Sequence, residues 1–225
     1  MNNKGKLIVL EGVDGSGKST QFKRLCENLE LKGIEFRKLV FPRYDNESSA
    51  LIRMYLNGEF GENPDCVNAY AASLFFAVDR YASYISEWKD FYLSGGILLA
   101  DRYTSSNAVH QGAKLESAER KVFFDWLYEL EYVKLCLPEP DLVVYLDVDA
   151  ETSKRRIEKR ELKKGIKADI HERDLAFIQK GIESGRMAAK HYSWKLIDYS
   201  ENGIEREIDE KQGEIFGIVE SYLKK

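Results

Sequence analysis

Few cysteines, no long apolar run and almost no charge imbalance set the first limits on this 225-residue chain. Cys26, Cys66 and Cys136 are odd in number, dispersed and in no metal-like spacing, so neither a disulfide framework nor a metal cluster is expected. They read as reduced thiols in a cytosolic protein, each a small buried hydrophobe. No stretch approaches the length that spans a bilayer. The apolar run Leu7–Leu10 stops at Glu11, which is too short for a signal peptide. Lys and Arg number 34 against 38 Asp and Glu, a net charge of −4, so no global pull toward nucleic acid is expected. Internal repeats, low-complexity tracts and linkers are also missing. The expectation is one soluble, cytoplasmic domain over residues 1–225, long enough to bury a substantial core.

What is present begins at residues 10–22, Leu-Glu-Gly-Val-Asp-Gly-Ser-Gly-Lys-Ser-Thr-Gln-Phe. Gly12, Gly17, Lys18 and Ser19 fit the G-x-x-x-x-G-K-[ST] phosphate-binding loop. A short apolar run precedes it and a helical pattern follows, which is the context the motif requires. Glycines let the backbone curl until its N–H groups face a polyphosphate, and the next helix adds the positive end of its dipole. Lys18 places a cation on the β- and γ-phosphates, and the Ser19 hydroxyl offers a ligand to Mg²⁺. Gly12, Val13, Asp14, Gly15, Ser16, Gly17, Lys18, Ser19 and Thr20 are therefore the candidate residues for binding a nucleoside triphosphate.

Strand and helix signals alternate along the rest of the chain. Strands are expected at Leu7–Leu10, about Glu35–Phe41, Ile97–Ala100, Leu142–Val148 and near Trp194–Asp198. Helices are expected over 18–32, about 48–57, Asp65 to about Leu93, 115–132, about 150–160, 170–191 and the C-terminus. Phe22, Leu25, Cys26 and Leu29 recur at i, i+3, i+4 and i+7, and Gly33 is placed to end that first helix. Five strands separated by helices predict an α/β fold with a parallel sheet covered on both faces.

The strand at 97–100 leads into Asp101-Arg102-Tyr103. Ligands in open α/β sheets sit beyond the carboxyl ends of strands, where the phosphate loop also lies. Asp101 is placed to reach a metal or its waters, and Arg102 a substrate phosphate. A solvated turn with a satisfied ion pair remains the competing reading of that tripeptide.

At this point the chain resembles the thymidylate kinase family of nucleoside monophosphate kinases. Five stretches carry the resemblance, in order: Glu11–Thr20, Phe41-Pro42-Arg43-Tyr44, Leu74–Arg80, Asp101–Gln111 and Pro138-Glu139-Pro140-Asp141-Leu142. The resemblance implies a three-layer P-loop kinase fold, with a five-stranded parallel sheet flanked by helices and a mobile lid at about 154–173. It implies transfer of phosphate from ATP to thymidine 5′-monophosphate (dTMP), giving dTDP for dTTP biosynthesis. Another nucleoside monophosphate kinase on the same scaffold is the alternative. A non-hydrolysing nucleotide switch fits less well, since no Asn-Lys-x-Asp segment is present.

Site roles follow from the matched positions. Asp14 matches an acidic residue near the acceptor phosphate and metal. Phe76 matches the platform on which the pyrimidine stacks, and Arg80, four residues on and so on the same helical face, reaches the base or its neighbouring phosphate. Arg43 and Arg102 match arginines that hold the monophosphate, a task suited to their planar fork. Tyr44, Ser106, Asn107 and Gln111 fall in the stretches around the acceptor's base and sugar. His110 departs from the pattern: many bacterial relatives carry tyrosine there, against the deoxyribose. Ser19 and Asp101 are the candidate Mg²⁺ ligands. The resemblance also implies a homodimer, for which Phe75, Tyr81, Phe123 and Trp126 are compatible apolar positions.

A basic stretch completes the set. Between Lys154 and Arg173 there are nine Lys or Arg and four acidic residues. A solvated helix face is the usual meaning of such a run. Its position matches the family's lid, and the phosphate loop here has no arginine of the kind that one branch of the family carries. The cation facing the transferring phosphoryl group is then expected from the lid, with Arg160 and Arg173 as candidates and Arg156 behind them. Arg155 matches an arginine that stacks on adenine.

Overall fold

A computed structural model describes residues 4–164, 170–171, 174–201 and 204–224. Five strands form one parallel sheet: β1 Lys6–Glu11, β2 Arg37–Val40, β3 Ile97–Asp101, β4 Leu142–Leu146 and β5 Lys195–Ile197, in the spatial order β2-β3-β1-β4-β5. The α/β reading therefore holds. Alternation along β1 explains the layering. Ile8 and Leu10 face α1 (Lys18–Leu31) and the C-terminal helix, meeting Phe22, Leu25, Leu29, Ile215 and Val219. Leu7 and Val9 face the other way, onto Leu39, Tyr84, Trp88 and Leu98. Both faces are buried, as a parallel sheet requires.

The remaining helices are α2 Ala50–Leu56, α3 Ala69–Ser83, α4 Lys89–Leu93, α5 Ser117–Tyr128, α6 Ala150–Lys164, α7 Leu175–His191 and α8 Ile208–Leu223. The long helix expected from Asp65 starts later, where Asn68 caps it by accepting from Ala71 N at 2.8 Å. It then passes through a π-type turn at Tyr84–Trp88 before α4. A short antiparallel pair, β6 Ser200–Glu201 and β7 Ile204–Glu205, has no counterpart in the sequence pattern. Two-residue strands are too short to show a period.

Of the cysteines, Cys26 is buried and matches its expected role, whereas Cys66 and Cys136 are exposed. Among the described residues no helix is long and apolar enough to cross a membrane. The carboxyl ends of β1 and β3 are neighbours, with Leu10 in register with Asp101. That register places the two loops that carry the chemistry side by side.

Candidate active site

The loop after β1 needs glycine for two distinct reasons. Gly17 adopts φ 93° where it caps α1. Gly15 has φ 75°, and a Cβ there would lie 2.4 Å from Ser153 O. Helix α6 grips the loop from outside: Ser153 Oγ donates to Asp14 O at 2.6 Å, and Arg156 Nη1 to Gly15 O at 2.9 Å. Ser16 Oγ is buried in the loop without a hydrogen-bond partner among the described residues. Lys18 is buried and ion-paired with Asp101 at the end of β3. Burial and then the charge of Arg102 pull the Lys18 ammonium's pKa down, while Asp101 and Glu11 oppose that shift.

Arg102 is the electrostatic centre. Its φ of 69° lies in the left-handed region, strained for a side chain of this size. The guanidinium donates to Asp14 Oδ1 at 2.5 Å and to His110 Nε2 at 2.8 Å. An arginine only donates, so His110 Nε2 is the acceptor and its ring proton sits on Nδ1. Burial, then Arg102, pushes the His110 pKa down to about 4, so the imidazole is neutral at physiological pH. Burial would raise Asp14, but Arg102 and Lys18 outweigh it and hold the carboxyl well below its usual range. Glu11 is fully buried beneath them and accepts from Gly12 N at 2.9 Å, Ser105 Oγ at 2.6 Å and Ser106 Oγ at 2.7 Å.

Two cavities open onto this centre. The first, about 500 Å³, is lined by Asp14, Tyr44, Phe76, Arg80, Arg102, Ser106, Asn107, His110 and Gln111, all expected at the acceptor. Gln111 Oε1 is buried there without a partner among the described residues. Arg43 does not line this cavity. Its Nε donates to Asp79 at 3.1 Å and its Nη2 to Ser48 at 2.9 Å, and Nη1 pairs with Glu87. The cavity wall takes Arg53 of α2 instead, with Leu56 and Asn57. Arg80 lines the cavity yet is held from behind: its Nε and Nη2 grip Glu131 at 2.7 and 2.5 Å, and Asn107 Nδ2 reaches the same carboxylate at 3.1 Å. Burial lowers and Glu131 raises the Arg80 pKa, with a net increase.

His171 also lines the acceptor cavity and was not expected there. Its Nε2 lies 2.7 Å from Tyr55 OH, and its ring is near-parallel to that of His110 at 5.7 Å. A lone histidine in a basic run carries no signal of that contact, since Tyr55 is 116 residues away.

The second cavity, about 430 Å³, is lined by residues 13–21 of the loop and α1, by Arg156 and Arg160, and by Ile197, Tyr199, Glu205, Ile208 and Lys211. Asp14 and Arg160 line both cavities. Arg155 lines neither; it donates to Glu205 at 3.2 Å and to Thr152 at 3.4 Å. Arg173 lies outside the described residues. A polyphosphate seated on the loop and an anion seated beside Arg102 would thus meet at Asp14 and Arg160, the geometry of group transfer between two bound molecules.

Known proteins share this arrangement along most of the chain. The family model for thymidylate kinase matches residues 10–210. Thymidylate kinase from Mycobacterium tuberculosis is 34% identical over 194 residues, covering 85% of this chain and 89% of that protein. The human thymidylate kinase is 30% identical over 204 residues, covering 88% and 84%. A solved thymidylate kinase from Candida albicans superposes with a TM-score of 0.72 at 25% identity, over 97% of this chain and 92% of that one. A match that runs through both cavities and nearly the whole sheet, at 30% identity or more to such relatives, makes this chain a member of the thymidylate kinase family.

Proposed function

We propose that this chain transfers the γ-phosphoryl group of ATP to the phosphate of dTMP, giving ADP and dTDP, a step toward dTTP. The observation that carries this reading is the junction itself: Asp14 and Arg160 line both the phosphate-loop cavity and the acceptor cavity. The acceptor is already an anionic phosphate oxygen, so no strong general base is needed. Positioning and charge neutralisation supply the catalysis.

Residues 12–20 hold the triphosphate through backbone amides, and Lys18 adds a cation at the β- and γ-phosphates. Arg160 stabilises charge on the phosphoryl group in flight, with Arg156 behind it and Arg173 as a second candidate. Arg102, fixed by Asp14 and His110, holds the acceptor phosphate. Phe76 and Arg80 share one face of α3 and take the base, with Tyr44, Ser106, Asn107 and Gln111 around base and sugar. Arg43, braced by Asp79 and Ser48, is the second arginine for the acceptor phosphate, and Arg155, paired with Glu205, is the candidate that stacks on adenine.

Among the described residues no cluster of three or more His, Cys, Asp or Glu would hold a metal by protein ligands alone. Mg²⁺ suits such a site, because it keeps water and takes substrate phosphates plus one or two protein oxygens. Ser19 faces the donor cavity and Asp101 sits beside Lys18, so these two fit the ion. When bound, Mg²⁺ neutralises the β- and γ-oxygens.

Helix α3 also supports a homodimer. Tyr70, Leu74, Val78 and Tyr81 lie exposed along it, followed by Ile85 in the π-type turn, a stripe suited to a second copy of the same helix. Of the positions singled out from sequence, only Tyr81 belongs to that stripe; Phe123 is core, and Phe75 and Trp126 are partly buried against it. The working site is a cytoplasmic one, with ATP and dTMP as partners and no nucleic acid or membrane.

The test is a coupled assay for ADP release with Mg²⁺ and dTMP, dUMP, UMP or thymidine as separate acceptors. Turnover is expected to be strongest with dTMP, weaker with dUMP and slight with thymidine. Turnover with thymidine but not dTMP would overturn the assignment of Arg102 to an acceptor phosphate.

A further inference from the structure

The shape of the phosphate loop depends on the direction of one peptide. Val13–Ser16 is a tight turn: Ser16 N donates to Val13 O at 3.2 Å, and Gly15, its third residue, has φ 75°. Asp14, the second residue, does not have a positive φ, so the turn is type II rather than type I′. Type II differs from the commoner type I by a flip of the central peptide, here Asp14–Gly15. That peptide is trans, so its carbonyl and its N–H point in opposite directions. Whichever way Asp14 O turns, Gly15 N–H faces the other.

Ser153 sets that direction from outside the site. It lines neither cavity and is fully buried at the start of α6, where Asp149 Oδ1 accepts from Thr152 N at 2.8 Å. Its Oγ donates to Asp14 O at 2.6 Å, and its own carbonyl packs so close to Gly15 that no Cβ would fit there. Arg156, further along α6, donates to Gly15 O at 2.9 Å. With Asp14 O drawn to α6, Gly15 N–H turns away from that helix. In the flipped turn the carbonyl would take its place, and its partial negative charge would repel an anion. We propose that Ser153 is a positioning residue for the triphosphate: its hydroxyl fixes the Asp14–Gly15 peptide so that Gly15 N–H faces the phosphates. The same bond ties the loop's conformation to the helix that carries Arg156 and Arg160. The inference rests on the reading of this chain as an ATP-dependent kinase.

The test is donor-saturation kinetics on the full chain at saturating dTMP, for the parent, Ser153→Ala and Ser153→Thr. Inorganic triphosphate and adenosine serve as separate competing inhibitors. Alanine is the better helix former, so α6 itself is not weakened by the first variant. Ser153→Ala is expected to raise the KM for ATP and the inhibition constant of inorganic triphosphate together, about threefold to tenfold, the loss of one hydrogen bond. Inhibition by adenosine, which has no phosphate, should stay within about twofold of the parent. The KM for dTMP should do the same, because Arg102 keeps His110 and Glu11. Ser153→Thr retains the hydroxyl and should recover most of the triphosphate affinity. An unchanged triphosphate inhibition constant in Ser153→Ala overturns the proposal. So does an equal loss for adenosine or dTMP, which would make Ser153 a packing residue only. If the parent shows no dTMP-dependent turnover, the kinase reading fails instead. Calorimetric titration of inorganic triphosphate into parent and Ser153→Ala then still decides whether Ser153 positions the loop.

Discussion

Replacing Glu131 by glutamine tests the energetics beneath the acceptor cavity. The carboxylate is fully buried, its partner Arg80 is 2% exposed, and the two form a fork of 2.7 and 2.5 Å. Glutamine preserves shape and removes the charge, leaving the Arg80 guanidinium buried without its counterion. Removing one member of a buried pair costs about 3–5 kcal/mol. For a chain of this size each kcal/mol moves the melting temperature by about 2–4 °C, so a fall of about 6–20 °C is expected. The assay is thermal unfolding by circular dichroism with a parallel urea titration. Lys134→Gln is the control, because it breaks the exposed pair with Glu129 at 3.2 Å. That variant should stay within about 0.5 kcal/mol of the parent. If Glu131→Gln cost less than about 1 kcal/mol, the pair would be behaving as a surface pair, and Arg80 would not be held from behind as argued.

Three further outcomes follow from the same geometry. Gly15→Ala places a Cβ against Ser153 O at a φ of 75°; it should weaken ATP binding at least about tenfold in a nucleotide titration, since the loop must open to accept it. Phe76→Ala should raise the KM for dTMP while sparing the KM for ATP, and an equal effect on both would remove Phe76 from the base site. Acid unfolding carries a signature of the two imidazoles. Burial first, then Arg102 for His110 and His110 for His171, lowers both pKa values, His110 to about 4. The unfolded chain binds those protons near pH 6.5 and the folded chain does not, so stability falls as pH drops from about 6.5 toward 4. His110→Gln should reduce that slope by about one proton's worth, about 1.4 kcal/mol per pH unit; an unchanged slope contradicts a neutral His110.

Local pattern carried most of the fold. The five strands and the helices α1, α5, α6, α7 and α8 are visible because each has a period, a cap or a proline stop in its own stretch of chain. The phosphate loop was legible for the same reason, since the eight residues Gly12–Ser19 act as one unit. What escaped is non-local. Arg53 and His171 enter the acceptor cavity only because α2 packs beside the segment holding Ile170 and His171. Arg43 is expected at the acceptor phosphate from the resemblance, and its hold on Asp79, 36 residues on, through its backbone N and its Nε leaves no mark in the local pattern. Arg155 and Arg156 are adjacent in sequence and both reach Glu205, and the turn of α6 alone decides that Arg156 also reaches Gly15 O while Arg155 reaches Thr152. Glu205 itself sits in a two-residue strand that no periodicity marks.

The most direct measurement follows the label. The chain is incubated with γ-³²P-ATP, Mg²⁺ and dTMP, and the nucleotides are resolved. The account predicts label in the β-position of dTDP, dependent on dTMP and abolished by Lys18→Ala. Label released only as inorganic phosphate, or dTDP formed equally well by Lys18→Ala, would contradict it.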